Sequence, residues 1–300
     1  MSSFSEWMRD NLLNSWQGLI TQDIDYLIFS NNLRSFVILE EKNSENAKVN
    51  IGQAIIFKFL NEFLLLQDII TFKGSYLVYA LGNGNIYINP KLERDGNKWR
   101  YKVKNLEQPL NIENFKEFIC INLEQLKNAY YRDWWNPIVN ELVHNLYDCS
   151  GNPPDFPTRT ERTGYRGTNL CNICSNMKKI DWIFVNYCTG YFILLEEKTY
   201  SNGNYQPNQH ERDLISRIDR IFCESNAVNL ESKIVRNPRS NSLYQYIGYY
   251  LLEFDNTTPG NSQNIWLNHE HISIEDLNNF LNLNSQDSLE IAERYKRDWW

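Results

Sequence analysis

No stretch of the chain is apolar for long enough to span a bilayer. The most apolar run, Ala54 to Ile70, is interrupted by Lys58, Asn61 and Glu62. An export leader is missing too: Met1 to Asn14 carries Glu6, Arg9 and Asp10 and has no apolar centre. A cytoplasmic protein without a membrane partner is expected. Glycine is sparse at 13 residues and proline at 9, which excludes a collagen-like repeat. A content of 42 % hydrophobic and 22 % charged residues excludes a wholly disordered chain. Positive charge is not in excess, since 30 Lys and Arg face 37 Asp and Glu for a net charge of -7. That excludes a basic coat for nucleic acid or membranes, although a local basic groove needs charge only where phosphates sit. Cysteine is also scarce. Six residues in 300 with no leader read as reduced thiols, not as a disulfide framework.

Three hundred residues suffice for about two domains, and the chain repeats itself. Asp25-Tyr-Leu-Ile followed by Phe36-Val-Ile-Leu-Glu-Glu-Lys42 is answered by Asp181-Trp-Ile-Phe followed by Phe192-Ile-Leu-Leu-Glu-Glu-Lys198. The interval from Asp to the first Glu is 15 in both (40 minus 25, 196 minus 181). Eleven residues after each Lys stands a glutamine, Gln53 and Gln209. Ile112-Glu-Asn-Phe is echoed by Ile274-Glu-Asp-Leu, and Arg132-Asp-Trp-Trp by Arg297-Asp-Trp-Trp. The order is conserved, so the chain reads as a tandem duplication: repeat 1 over 1–135 and repeat 2 over 136–300. Charge is unequal between them, with 15 basic against 16 acidic residues in the first and 15 against 21 in the second.

Periodicity gives the elements of one copy. Helices are expected over 5–16 and 51–66, from apolar residues recurring on one side. The 25–29 and 36–40 runs read as a hairpin around Asn31-Asn32, and the 76–81 and 85–89 runs as a strand pair around Gly82-Asn83-Gly84. Two helices, near 112–121 and 123–134, close the copy. Copy two repeats the order: a helix at 137–147, a hairpin at 181–196, a helix at 209–224, strands at 246–254 and 264–267, and a helix pair near 274–281 and 288–297. The fold class is α/β, a mixed sheet flanked by helices. The terminal Trp pairs read as core or inter-copy packing, with base stacking as the alternative.

On a strand, side chains alternate, so Glu40 and Lys42 share a face and Glu41 points the other way; Glu196, Lys198 and Glu197 behave alike. Asp25 and Asp181 lie on the neighbouring strands. Two carboxylates on adjacent strands make a hard oxygen site suited to Mg²⁺ or Mn²⁺. A lysine beside it can orient water or stabilise negative charge on a phosphoryl group. Asp23 competes with Asp25 as a ligand, but copy two has Lys179 at the matching place.

Asp25, Glu40-x-Lys42 and Gln53, and again Asp181, Glu196-x-Lys198 and Gln209, resemble the PD-(D/E)XK nuclease superfamily. The Pro of that name is replaced by Ile24 and Ile180. The resemblance covers the hairpin and following helix of each copy. It implies an αβββαβ core in each repeat and metal-dependent phosphodiester hydrolysis, with all eight residues catalytic and Asp25, Glu40, Asp181 and Glu196 holding the metal. Two such units in one chain suggest a monomer acting as a pseudo-dimer, with double-stranded DNA as partner and one strand cut per repeat. A restriction-type endonuclease is the leading expectation. A junction nuclease, an RNase and a non-catalytic nucleic-acid-binding module are the alternatives.

Copy two carries an insertion at about 148–178, rich in Pro and Gly and therefore a loop. Cys171 and Cys174 have zinc-knuckle spacing, and His144 with Cys149 could complete a structural zinc tetrahedron. The alternative is buried free thiols, the reading also given to Cys120, Cys188 and Cys223. Arg159, Arg162 and Arg166 could contact phosphates or a guanine edge. Lys98, Arg100, Lys102 and Lys104 would share one face of a strand and contact DNA, or else form a charged, solvated edge.

Overall fold

A computed structural model describes residues 3–13, 17–30, 34–44, 47–66, 70–95, 98–101, 108–143, 170, 174, 176–237 and 240–300. Along the chain run α1 (Ser3–Asn11), β1 (Leu19–Ser30), β2 (Ser35–Lys42), β3 (Lys48–Val49), α2 (Ile51–Leu64), β4 (Thr71–Ala80) and β5 (Ile86–Ile88). Then come β6 (Leu92–Asp95), β7 (Lys98–Tyr101), α3 (Ile112–Cys120), α4 (Leu123–Tyr130) and α5 (Asn136–Val143). The second half continues with β8 (Met177–Asn186), β9 (Tyr191–Thr199), α6 (Gln209–Ser232) and β10 (Gln245–Phe254). It ends with β11 (Ile265–Leu267), β12 (Glu270–His271), α7 (Ile274–Asn282) and α8 (Gln286–Tyr295). The protein is α/β with mixed sheets.

The described residues form two compact units whose limits differ from a cut at Trp135. One holds Met1–Asp23 with Ile180–Trp300; the other begins at Ile24 and takes in the described residues up to Lys179. Helix α1 therefore belongs with the second half of the sequence. Its Phe4, Trp7 and Met8 join Trp182, Phe184, Leu195, Tyr250 and Phe254 in one buried cluster. Leu170, just ahead of β8, is buried with Tyr26, Leu39, Tyr76 and Phe115 of the first half. Sequence periodicity cannot show which sheet a helix covers, and this explains the difference.

Each unit builds its sheet in the same way. In the first, β1 pairs antiparallel with β2, β2 parallel with β4, and β4 antiparallel with β5. In the second, β8 pairs antiparallel with β9, β9 parallel with β10, and β10 antiparallel with β11, which pairs with β12. The parallel step needs a crossover, and α2 or α6 supplies it. Because β2 and β9 are central and covered on both faces, they read as continuous apolar runs before the charged triplet. The correspondence between the units extends to a buried brace. Asn89 and Asn268, both with positive φ (44° and 48°), accept from the amides of Leu77 and Leu251 at 2.7 Å. They donate to the carbonyls of Tyr130 and Tyr295. Trp134, Trp135 and Trp299 are buried, in keeping with packing.

A separate three-stranded sheet has the order β3-β7-β6. Strand β7, which carries Lys98 and Arg100, is its central strand. Arg100 pairs with Lys48 on one side and Glu93 on the other. Lys98 and Arg100 therefore do not lie on an edge strand of this sheet. Lys102, Lys104, Arg159, Arg162 and Arg166 lie outside the described residues.

The cysteine expectation is also corrected. Cys120, at the end of α3, forms a disulfide with Cys174, 54 residues away. Cys174 is thus not available as a thiolate zinc ligand; His144, Cys149 and Cys171 lie outside the described residues. Cys188 and Cys223 are exposed, not buried. The pairing depends on proximity in space, which linear spacing does not encode. No described helix is long and apolar enough to cross a membrane.

Candidate functional site

The first site is built from β1, β2 and the start of α2. Antiparallel pairing sets Tyr26 opposite Leu39, which brings Asp25 to the end of β2. There the Glu41 amide donates to Asp25 Oδ2 at 2.7 Å. Glu40 and Lys42 share a face, and Lys42 Nζ donates to Glu40 Oε1 at 2.7 Å. Glu41 faces the other way and accepts from the Tyr26 hydroxyl at 2.9 Å. Helix α2 begins at a capping box in which Asn50 accepts from the Gln53 amide at 2.8 Å. That cap points Gln53 at the strand: its Nε2 donates to Glu40 Oε1 at 2.5 Å and its Oε1 accepts from Lys42 at 3.1 Å. The structure thus brings Glu40, Lys42 and Gln53 into one hydrogen-bonded set, with Asp25 tied to the backbone beside it.

The electrostatics follow from burial. Desolvation pushes the Asp25 carboxyl above its usual range, opposed by the Lys42 charge, the Glu41 amide and the Lys179 charge. Burial works against the Lys42 ammonium, but the Glu40 carboxylate, by charge and hydrogen bond, and Asp25 hold its pKa above the ordinary lysine value. Lys42 therefore stays charged at neutral pH and cannot act as a general base there.

The second site repeats the strands and departs at the helix. The Glu197 amide donates to Asp181 Oδ2 at 3.0 Å, and Lys198 Nζ to Glu196 Oε1 at 2.7 Å. Glu197 faces away and accepts from Trp182 Nε1 at 2.7 Å. Gln209 does not join this set; it is exposed and donates to Asp213 at 2.9 Å. The reason is loop length. The cap Asn50 is 8 residues after Lys42 (50 minus 42), whereas the cap Asn208 is 10 after Lys198 (208 minus 198). Gln209 is thus the first residue of its helix, and the third, which matches Gln53, is Glu211. Asn208 accepts from the Glu211 amide at 3.0 Å.

Tyr249 and Tyr205, both absent from the motif, join Glu211 in completing the second site. Tyr249, on β10, donates its hydroxyl to Glu196 Oε2 at 3.1 Å. Burial first, then the charges of Glu196 and Asp181, hold that phenol protonated. The Tyr205 ring lies 4.6 Å from Lys198 Nζ, and its hydroxyl donates to Glu211 at 2.9 Å. Lys198 is also held above the ordinary lysine pKa: burial opposes its charge, while Glu196 first, Asp181 and Glu211 favour it. The loop carrying Tyr205 is braced by Glu253, the strand partner of Lys198. Glu253 accepts from Ser201 Oγ at 2.6 Å, the Tyr205 amide at 3.0 Å and His269 Nδ1 at 2.8 Å. The carbonyl of Gly203 lies 3.1 Å from the same His269 nitrogen. Both neighbours only accept, so Nδ1 carries the proton. Gly203 (φ +77°) sits so close to Trp266 that a Cβ would fall 2.6 Å from its ring. The longer loop was visible in the sequence only as the second Asn cap with Glu three residues on.

Either carboxylate pair offers the hard oxygen donors that Mg²⁺ or Mn²⁺ prefers. Among the described residues no set of three or more His, Cys, Asp or Glu forms a metal cage. Two carboxylates with several retained waters is the usual demand of Mg²⁺, so the donor set fits.

No family model matches the chain, and no solved structure matches it. The chain is 43 % identical over 155 residues to an uncharacterized protein of Archaeoglobus fulgidus, a match covering 51 % of this chain and 93 % of that protein. It is 37 % identical over 145 residues to a second uncharacterized protein of the same organism, covering 45 % of this chain and 92 % of the relative. The chain belongs to the family of these two proteins. Each relative is matched almost whole by about half of this chain.

Proposed function

We propose that each half carries a metal-dependent phosphodiesterase site and that the protein is an endonuclease cutting both strands of duplex DNA, one site per strand. The reading rests on one observation: the same strand arrangement is built twice, an Asp tied to the next strand's amide beside a Glu–Lys pair at 2.7 Å. Surface ion pairs rarely repeat with their burial, whereas Glu40 and Glu196 are both 3 % exposed. Burying a carboxylate twice at the end of a strand is costly without a purpose for the charge.

In this reading Asp25 with Glu40, and Asp181 with Glu196, hold Mg²⁺ or Mn²⁺. The bound ion supplies an activated water and neutralises charge on the phosphoryl oxygens. Lys42 and Lys198, kept as ammoniums, stabilise the negative charge that develops on the phosphate and orient the water. Gln53 positions Lys42 and Glu40 through its two hydrogen bonds. The two-fold repetition of sites in one chain does the work of the two subunits of a dimer. The polypeptide would thus act as a monomeric pseudo-dimer of two PD-(D/E)XK units.

The test is incubation of the purified protein with supercoiled plasmid and linear phage DNA, with Mg²⁺ and with EDTA. Discrete fragments with Mg²⁺ alone are expected. Cleavage confined to branched DNA or RNA would replace the substrate, and no hydrolysis of any nucleic acid would refute the reading.

A further inference from the structure

The two sites have the same strand arrangement but not the same charge. In the first, two carboxylates (Asp25, Glu40) and one ammonium (Lys42) meet a neutral amide, Gln53, one net negative charge among these four groups, while the opposite charges of Lys179 and Glu41 also act on Asp25. In the second, Asp181, Glu196 and Lys198 meet Glu211, two net negative charges among the four. Glu211 bonds Tyr205, whose ring carries Lys198, and its charge acts on both Lys198 and Tyr249. Access differs in the same sense. The Lys42 side chain is 11 % exposed and Lys198 is 26 % exposed. A cation entering the first site competes with the Gln53 amide for Glu40 Oε1, which it holds at 2.5 Å. At the second site Glu211 stands in the place of Gln53, and the donor that a cation meets on Glu196 is the Tyr249 hydroxyl, on Oε2 at 3.1 Å.

Resting on the phosphodiesterase reading, we infer that the two sites fill in order: a divalent cation loads the second site first and the first site later. Limiting cation then gives a nicked duplex, and saturating cation gives a double-strand break. The inequality stems from Glu211 and Gln53 occupying the same helical position. Close charges in a partly buried site differ enough in energy to separate the affinities by about tenfold or more.

The experiment is Mn²⁺ titration of the full-length protein followed by electron paramagnetic resonance of free Mn²⁺, in parallel with supercoiled plasmid cleavage at the same Mn²⁺ concentrations. Two classes of site are expected, one ion each, at least about tenfold apart. Glu211→Gln should weaken the tighter class until the two coincide. Gln53→Glu should tighten the weaker one; Glu211→Gln, at a half-buried position, carries the decision if the buried Gln53 variant does not fold. Two equal sites, no Mn²⁺ uptake, or a tight class untouched by Glu211→Gln would each overturn the inference. Unequal binding without plasmid cleavage would sustain the inequality and refute cleavage of duplex DNA. Cleavage with equal binding would do the reverse.

Discussion

Gln53 and Glu211 hold the same place in their helices: each is the third helical residue after an asparagine cap, and each donates its amide to that cap. One turns a neutral amide onto the Glu–Lys pair, and the other brings a carboxylate to it through Tyr205. The position is the same and the chemistry differs, which divides two sites built on matching strand pairs.

The first prediction concerns the two lysines. Removing Lys42 leaves the Glu40 carboxylate buried without its ammonium, which costs about 3–5 kcal/mol in a buried pair. Lys198 is 26 % exposed and its pair partly solvated, so Lys198→Ala should cost less. Urea denaturation of Lys42→Ala and Lys198→Ala checks this. Equal losses would contradict the difference in burial.

Asp25 gives a pH prediction. Its folded-state pKa is raised, first by burial. A carboxyl raised in the folded state binds more protons folded than unfolded, so its contribution to stability falls as pH rises through the folded value. Below the unfolded value, near 4, both states are protonated and the effect vanishes. Asp25→Asn should therefore raise Tm at pH 8 by a few degrees, with the gain shrinking towards pH 4. Thermal melts of both proteins across that range test it; a variant less stable at pH 8 would show that the carboxylate is favourable as placed. A residue that destabilises its own fold is consistent with a functional role.

The disulfide should matter to the unit that holds it. Cys120 and Cys174 close a loop of 54 residues, worth about 2–4 kcal/mol by restricting the unfolded chain. Cys120→Ser, or reduction of the wild type, should lower the denaturation midpoint accordingly. Identical curves with and without reductant would show that the bond is not formed in solution.

Helix α1 gives the fourth. Phe4 is wholly buried and stacks on Trp7 with its edge on Trp182. Phe4→Ala should cost about 3–5 kcal/mol. Amide exchange should rise in β8 and β10, of the second half of the sequence. Faster exchange confined to β2 and β4 would contradict the assignment of α1.

Much of this was legible in the sequence because strands impose a strict geometry. Asp-to-Glu spacing of 15 in both copies meant one register, and the alternation rule placed Glu40 with Lys42 and Glu41 apart; the hydrogen bonds follow that pattern. Helices with Asn or Ser caps began where their caps stand, as at Asn50 and Ser273. Gln209 misled because equal offset in sequence is not equal position in space. Two extra loop residues moved the helix start, and the cap, not the offset, identifies Glu211. Tyr249 and Tyr205 carried no signal, since an aromatic residue becomes a hydroxyl donor to a site only once strand order is known. The placement of α1 and the Cys120–Cys174 bond are long-range contacts, and local periodicity says nothing of those.

The most direct measurement is cleavage of supercoiled plasmid at saturating Mg²⁺ by the wild type, Lys42→Gln, Lys198→Gln and the double variant, with folding checked by melting. Two sites, each cutting one strand, predict linear product from the wild type. Each single variant should stop at the open circle, and the double variant should leave the plasmid intact. Linear product from either single variant at the wild-type rate would contradict a site in each half.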